Sequence, residues 1–469
     1  MATVRSLMHG VICSSALGLG LNCETSSAAM QIYITCSMPT AKTTVAKKAV
    51  TKDKPWYKKL GPGLISGAAD DDPSGIATYS QAGAQFGFSM LWTVLFTYPL
   101  MAGIQMISAR IGRVSGHGLA SNIRQHYPPW LLYSIVGLLV TANTINIAAD
   151  IAAMAEALTL LVGGQPHLYA IGFGIVSLLL QILIPYRRYV RLLKWLTLSL
   201  LAYVASVFVL QISWQRVITH SLLPDLSSSP QYIMTVVAVF GTTISPYLFF
   251  WQASQEIEEQ RISAQAKPLL EAPQQAAANF RRIKLDTYIG MGFSNMVAFC
   301  IILTTAVTLN LNGITAIQTS AQAATALRPI AGEFAFWLFA AGIIGTGLLA
   351  IPVLAGSAAY AMAGAFQWTN SLELQPQHAK AFYSIIALST LIGLALCFTP
   401  IDPIKALYWS AVINGVISVP IMILMMLMAS RSDIMGRFII PAQLKLLGWL
   451  CTVVMAIAVI AMFLSFYTA

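Results

Sequence analysis

The sequence predicts an all-α polytopic membrane protein of about 11 transmembrane helices, ten of them forming two inverted five-helix repeats. Three observations carry this prediction. Of 469 residues, 57% are hydrophobic and only 9% charged, and mean hydropathy is +0.71, a balance that no soluble globular class shows. Stretches of about 20 apolar residues, enough for a helix to cross the hydrocarbon core, recur from residue 61 to the end of the chain. The first and the sixth of these stretches are interrupted at their middles. A β-barrel is disfavoured, because barrel strands alternate in polarity and these runs are continuously apolar.

Spans are expected at 61–86, 88–110, 130–160, 168–185, 192–213, 231–254, 286–310, 334–365, 381–399, 404–429 and 446–467. Charge assigns the loops between them to sides. All but three of the 27 Lys and Arg residues fall in the N-terminal segment or in the loops near 110–124, 187–194, 261–284, 380 and 431–445. Strict alternation puts all of these on one face, and only Arg216, Arg328 and Lys405 lie on the other. The positive-inside rule makes the basic face cytoplasmic. The N-terminus is then cytoplasmic and the C-terminus outside, in a multi-pass protein of the cell membrane. A missed or surplus span would scramble this alternation, so the charges also support the count. The formal charge of +10 is explained by topology, and no nucleic-acid partner is needed to account for it.

Residues 1–60 stand apart. The apolar stretch from Val11 to Cys36 is broken by Asn22, Glu24 and serines, and Lys42 to Lys59 is a basic linker. That is a poor signal-peptide core. The segment reads as a disordered cytoplasmic leader, with Met30 and Met38 as alternative starts. Residues 61–430 form the expected core, its repeats covering about 61–213 and 231–429, and 431–469 add one C-terminal helix. The six cysteines form no CxxC pair and no metal-ligand spacing, and read as inert.

The first span reads GPGLISGAADDDPSGIATYSQAGA. Only about fifty residues separate Lys59 from Arg110, room for just two helices, so Asp70, Asp71 and Asp72 fall near the middle of the first. A charged residue there costs about 3 kcal/mol even on forgiving insertion scales, and persists chiefly where it faces a cavity or a cation. Pro73 and Gly75 interrupt the helix and free backbone groups beside the acids. The sixth span, VVAVFGTTISPYLFFWQA, is broken by Gly241 and then by Ser245-Pro246. Singly, each proline reads as an ordinary kink. Two breaks five spans apart mark a substrate site at the bilayer midplane between two inverted repeats.

These residues resemble the NRAMP family of divalent metal transporters over about 61–430. Asp72-Pro73-Ser74-Gly75 stands where the family has its metal-binding DPGN, and Thr242-Thr243-Ile244-Ser245-Pro246-Tyr247 falls on A-x-x-M-P-H. The second span, from Leu91-Trp92 through Gln105 to Arg110-Ile111-Gly112-Arg113, and Ala340-Ala341-Gly342 of the eighth are also similar to family segments. The resemblance implies a LeuT-type fold with helices 1 and 6 broken. It implies a metal site of Asp72, Gly75, Thr242 and Ser245, with Asp70, Asp71, Tyr247 and Asp150 beside it or along the pathway. Asp72 is the charged ligand, Gly75 and Thr242 offer backbone carbonyls, and Ser245 offers oxygen or space for water. Asp71 is expected at the ion's second shell and Asp70 in the access path.

The departures from the family all touch chemistry. Its asparagine is Gly75, its methionine Ser245, its alanine Thr242 and its histidine Tyr247. The third span keeps Asp150 of D-x-x-E but has Ala153 for the glutamate. The pattern is most similar to the magnesium-transporting NRAMP-related branch. Losing the thioether at Ser245 removes a soft ligand and leaves an all-oxygen site suited to Mg²⁺, Ca²⁺ or Mn²⁺. Gly75 and Ser245 are smaller than Asn and Met, which leaves room for the waters that Mg²⁺ gives up reluctantly. No histidine lies mid-span, and histidine is the side chain best able to exchange protons near neutral pH. The expectation is therefore transport of Mg²⁺ or Mn²⁺ without strict proton coupling, with a proton-coupled Mn²⁺/Fe²⁺ symporter as the alternative. No cofactor and no obligate protein partner are called for. The partners are the ion and the bilayer.

Two other classes fit less well. A sodium-coupled amino-acid carrier would bring a carboxylate to three aspartates, which repel it. An enzyme using Mg²⁺ on a pyrophosphate needs further acids or phosphate clamps, whereas Glu256, Glu258 and Glu259 sit at a span end among basic residues, where they read as solvated. Asn143, Asn146 and Asn414 can hydrogen-bond between helices or line the path, and the first reading is favoured; Trp251 and Trp409 read as packing or interfacial aromatics.

Overall fold

The computed structural model describes residues 66–468 except 68, 185–198, 263–265, 318 and 401. The leader, the basic linker, the loop at 187–194 and the start of the fifth span lie outside the described residues. The rest is helical, and the helices fall on the expected spans. The first span has helical residues at Ser66, Gly67, Ala69 and Asp70, a break at Asp71-Asp72, and then α1, Pro73–Phe86. There follow α2 (Leu91–Ser115), a short α3 (Leu119–His126), α4 (Pro129–Val162) and α5 (Pro166–Leu183). The described part of the fifth span is α6 (Leu201–Val209), followed by the short α7 (Trp214–Leu222). The sixth span is split into α8 (Pro230–Thr243) and α9 (Pro246–Ile262). After it come α10 (Ala276–Thr308), the short α11 (Ser320–Thr325), α12 (Ala335–Phe366), α13 (Lys380–Leu396), α14 (Pro403–Ala429) and α15 (Ala442–Thr468). Among the described residues, eight segments are long and apolar enough to cross a membrane.

Both breaks follow from local chemistry. Pro73 and Pro246 each open a second half-helix, where a missing N–H costs nothing and the residue before proline leaves the helical region. Asp72 has φ −72° and ψ 171° and caps α1, accepting from Gly75 N. Ile244, at φ −114° and ψ 58°, ends α8.

The broken elements sit innermost. The most apolar window of α8–α9 is 89% buried, against 22% for α5 and 33% for α15. The last two present Leu168, Ile175, Leu446 and Ile457 outward, as lipid-facing helices do. Glycines set the closest approaches. A Cβ on Gly67 would stand 2.3 Å from Gly290 O of α10, and one on Gly241 would stand 2.1 Å from Ala411 O of α14. Only hydrogen fits there.

The basic ends of α2, α9 and α10 meet, and one expectation fails at that junction. Glu256 and Glu258 are not solvated, being 0% and 4% exposed. α9 is enclosed on its acidic face, and the protein supplies the countercharges. Arg282 of α10 pairs with Glu256 at 2.5 Å and with Glu259 at 2.9 Å. Glu258 accepts from Ser371 Oγ at 2.7 Å and Tyr360 Oη at 3.1 Å, and pairs with Arg261 at 3.4 Å. The asparagines divide. Asn143 donates to Leu354 O of α12 at 2.8 Å, as expected. Asn146 and Asn414 are buried with no hydrogen-bond partner among the described residues. Trp251 is fully buried and packs edge-on to Tyr360, while Trp409 is exposed.

Candidate metal centre

Asp70, Asp71 and Asp72 are all buried, at no more than 2% exposure, but they do not converge. Asp70 is the last helical residue before the break and Asp71 lies in it. Both turn to Ser294 of α10, whose hydroxyl lies 2.6 Å from Asp70 Oδ2 and 3.0 Å from Asp71 Oδ1. A hydroxyl carries one proton, so it satisfies one of these contacts as a donor. Asp70 Oδ1 and Asp71 Oδ2 have no partner among the described residues.

Asp72 turns the other way. Its Oδ1 accepts from Gly75 N at 2.8 Å and Ser74 Oγ at 2.7 Å, and its Oδ2 faces Tyr247 Oη at 3.3 Å. The Tyr247 hydroxyl also reaches Ala69 O at 3.1 Å. One tyrosine of the sixth span thus touches both sides of the first break.

Gly75 departs from its expected role. It lies inside the first turn of α1, so its carbonyl runs along the helix. What it offers at the break is its N–H, already taken by Asp72. Its missing side chain matters more. A Cβ there would stand 3.1 Å from Thr242 Oγ1, 3.3 Å from Tyr79 Cε2 and 3.5 Å from Asp70 O. The gap at Gly75 is bounded by a hydroxyl of the sixth span and a carbonyl of the first.

Thr242 is in the last turn of α8. Its carbonyl and that of Gly241 accept from Ser245 Oγ at 2.7 and 3.0 Å. Ser245 therefore ties off the end of α8 and keeps its lone pairs for other partners. Both breaks leave carbonyl-bearing helix ends inside the protein, where the negative end of each helix dipole favours a cation. Asp150 of α4 is buried with neither carboxylate oxygen partnered among the described residues. One thioether comes near: Met154 Sδ and Pro73 Cγ stand 2.6 and 3.3 Å from a Cβ placed on Gly347 of α12. Among the described residues, no three His, Cys, Asp or Glu side chains gather as a metal-binding group.

Ser294, Tyr79 and the Asp70 carbonyl were not expected here. Gly290 and Ser294 do carry a signal, since small residues four apart mark a close membrane-helix contact. The carbonyl and Tyr79 are placed by the break's geometry, which sequence does not print.

The family described as Nramp, natural resistance-associated macrophage protein-like, matches over residues 63–465. The chain belongs to the Nramp family. As an Nramp chain it is a multi-pass divalent metal transporter. Its fold resembles that of a manganese transporter of Eremococcus coleocola in complex with an aromatic bis-isothiourea substituted compound, with TM-score 0.66 and 18% identity over 89% of this chain and 90% of that one. MhsT in complex with L-phenylalanine matches at TM-score 0.56 and 12% identity, over 86% of this chain and 98% of that one. Mhp1, a nucleobase-cation-symport-1 family transporter in a closed conformation with bromovinylhydantoin bound, matches at 0.51 and 13%, over 87% and 93%. At these identities the likeness is one of fold, and the LeuT-type architecture is common to all three.

Proposed function

We propose that this Nramp protein carries a hard divalent cation, Mg²⁺ or Mn²⁺, across the cell membrane by alternating access, without obligatory proton coupling. The reading rests on one observation above all: the gap at Gly75 is bounded by Thr242 Oγ1 and Asp70 O, and Asp72 stands at its edge on the Gly75 N–H. These are hard oxygen donors with a carboxylate, and the absence of a thioether or imidazole among them suits a hard cation. Asp72 supplies the charge, Thr242 its hydroxyl and carbonyl, and Ser245 its remaining lone pairs. Tyr247 gives up its contact with Asp72 when the ion enters. On this reading the chain resembles the magnesium-transporting branch of the family in its departures at Gly75, Ser245 and Tyr247. Residues 61–213 and 231–429 serve as the inverted repeats, with the N-terminus cytoplasmic and the C-terminus outside.

A proton-coupled Mn²⁺ carrier is the second reading. It is favoured by the manganese transporter among the fold neighbours and by Asp150, a buried carboxylate left unpartnered near Asp72. Uptake into liposomes with Mg²⁺, Mn²⁺ and Ca²⁺ in competition, with internal pH followed, separates the two. Mg²⁺ entry without acidification is expected, loss of all uptake in Asp72→Ala, and a shift towards Mn²⁺ in Ser245→Met. Metal-dependent acidification would favour the coupled carrier, and unchanged selectivity in Ser245→Met would remove Ser245 from the site.

A further inference from the structure

Two asparagines of the interior have no use in the site above, and one aspartate has only a place along its pathway. Asn146 and Asp150 of α4 are 0% exposed and Asn414 of α14 is 1% exposed. All six of their side-chain polar atoms lack a hydrogen-bond partner among the described residues. Buried polar atoms are nearly always satisfied, and each that is not costs about 1 to 3 kcal/mol. Six together call for something that is neither backbone nor side chain.

The helix geometry places them on one seam. α4 and α14 run antiparallel, because the end of α14 meets the start of α4, with Arg431 over the Tyr127 ring at 5.6 Å. Ala153 of α4 and Leu407 of α14 line the same small cavity and so stand at one level. Seven residues back along α4 and seven forward along α14 both lead towards the basic end. Seven residues are about two turns, which restores the same helix face. That step reaches Asn146 on one helix and Asn414 on the other. Asp150 lies one turn above Asn146 on the same face. Ile147, on a neighbouring face of α4, meets Gly393 of α13.

We propose that Asn146, Asp150 and Asn414 form a second cation station between α4 and α14, beside the Asp72 break, which holds a divalent ion through its retained waters. Two amides and one carboxylate offer both donors and acceptors to a water shell, and a single charge suits an ion that keeps most of its hydration. The proposal rests on the transport reading above, in that it gives the same ion a second stop.

Mn²⁺ binding to the full-length purified protein, counted by stoichiometry and located by anomalous diffraction, tests it. Two ions are expected, with Asp72→Ala removing one, and Asn146→Leu or Asn414→Leu removing the other while sparing the ion at Asp72. The leucine variants should melt higher than the parent, because they delete unpartnered amides, and Mg²⁺ uptake at limiting concentration should fall by about 10- to 100-fold. Should a leucine variant fail to fold, Asn146→Ala and Asn414→Ala carry the same measurement. A single ion that is lost in Asp72→Ala and untouched by both asparagine changes would overturn the second station and leave the first. An ion insensitive to Asp72→Ala but lost in Asn146→Leu would overturn the Asp72 reading and leave the second station standing.

Discussion

Among the described residues, carboxylates gather at two places inside or against the protein, and the two groups are partnered in opposite ways. At the basic end, Glu256 and Glu259 share Arg282, and Glu258 meets Arg261, Tyr360 and Ser371. At the centre, Asp72 is held only by N–H and hydroxyl groups, Asp70 and Asp71 share one serine, and Asp150 has nothing among the described residues. The first group is closed, since the chain brings its own countercharge. The second is open, and on the reading proposed above its countercharge comes from solution. Burial alone does not separate structural acids from functional ones, and the source of the compensating cation does.

The largest effect that would break this contrast is on stability. Arg282→Leu leaves Glu256, 0% exposed, as an uncompensated buried charge, which costs about 3 to 5 kcal/mol. Thermal unfolding in detergent should show a clear fall, and Glu256→Gln on top of it should recover most of the loss. An unchanged melting temperature would mean that the basic end is as open as the centre. Asp71→Asn should move the other way. It removes a charge that has one shared hydroxyl for company, so a gain of about 1 kcal/mol is expected, while Mg²⁺ uptake at limiting concentration declines as the local field weakens. A loss of stability in Asp71→Asn would show that a protein group already compensates this acid.

Most of the fold was legible because hydropathy, charge alternation and two X-Pro breaks are one-dimensional signals. Asp72-Pro73 and Ser245-Pro246 announce where the helices part, and the basic loops announce which ends meet. The site was legible only in part. Sequence places Asp72, Thr242, Ser245 and Tyr247 near the breaks, but the direction of a side chain or carbonyl depends on which turn it occupies. Gly75 falls inside α1 rather than in the break, which exchanges a free carbonyl for a bound N–H. Asp70 and Asp71 face Ser294 because of where α10 packs, a contact 223 to 224 residues away in sequence. The Glu256 cluster misled for the same reason: charge at a span end reads as solvated until a neighbouring helix is seen to cover it.

The smallest effect is the most specific to the open site. Gly75→Ala puts a methyl group 3.1 Å from Thr242 Oγ1 and 3.3 Å from Tyr79 Cε2, a tight fit that slight movement can absorb. Alanine favours a helix over glycine by about 1 kcal/mol, so stability should stay close to the parent. What changes is the space between two oxygens. An ion that passes with its waters needs that space more than one that sheds them, and Mg²⁺ dehydrates more reluctantly than larger divalent ions. Uptake of Mg²⁺ should therefore fall severalfold relative to Mn²⁺, in competition assays on the same liposomes. If the two ions declined together, the gap would be a matter of helix packing, and the preference for a hydrated ion would have to reside between α4 and α14 instead.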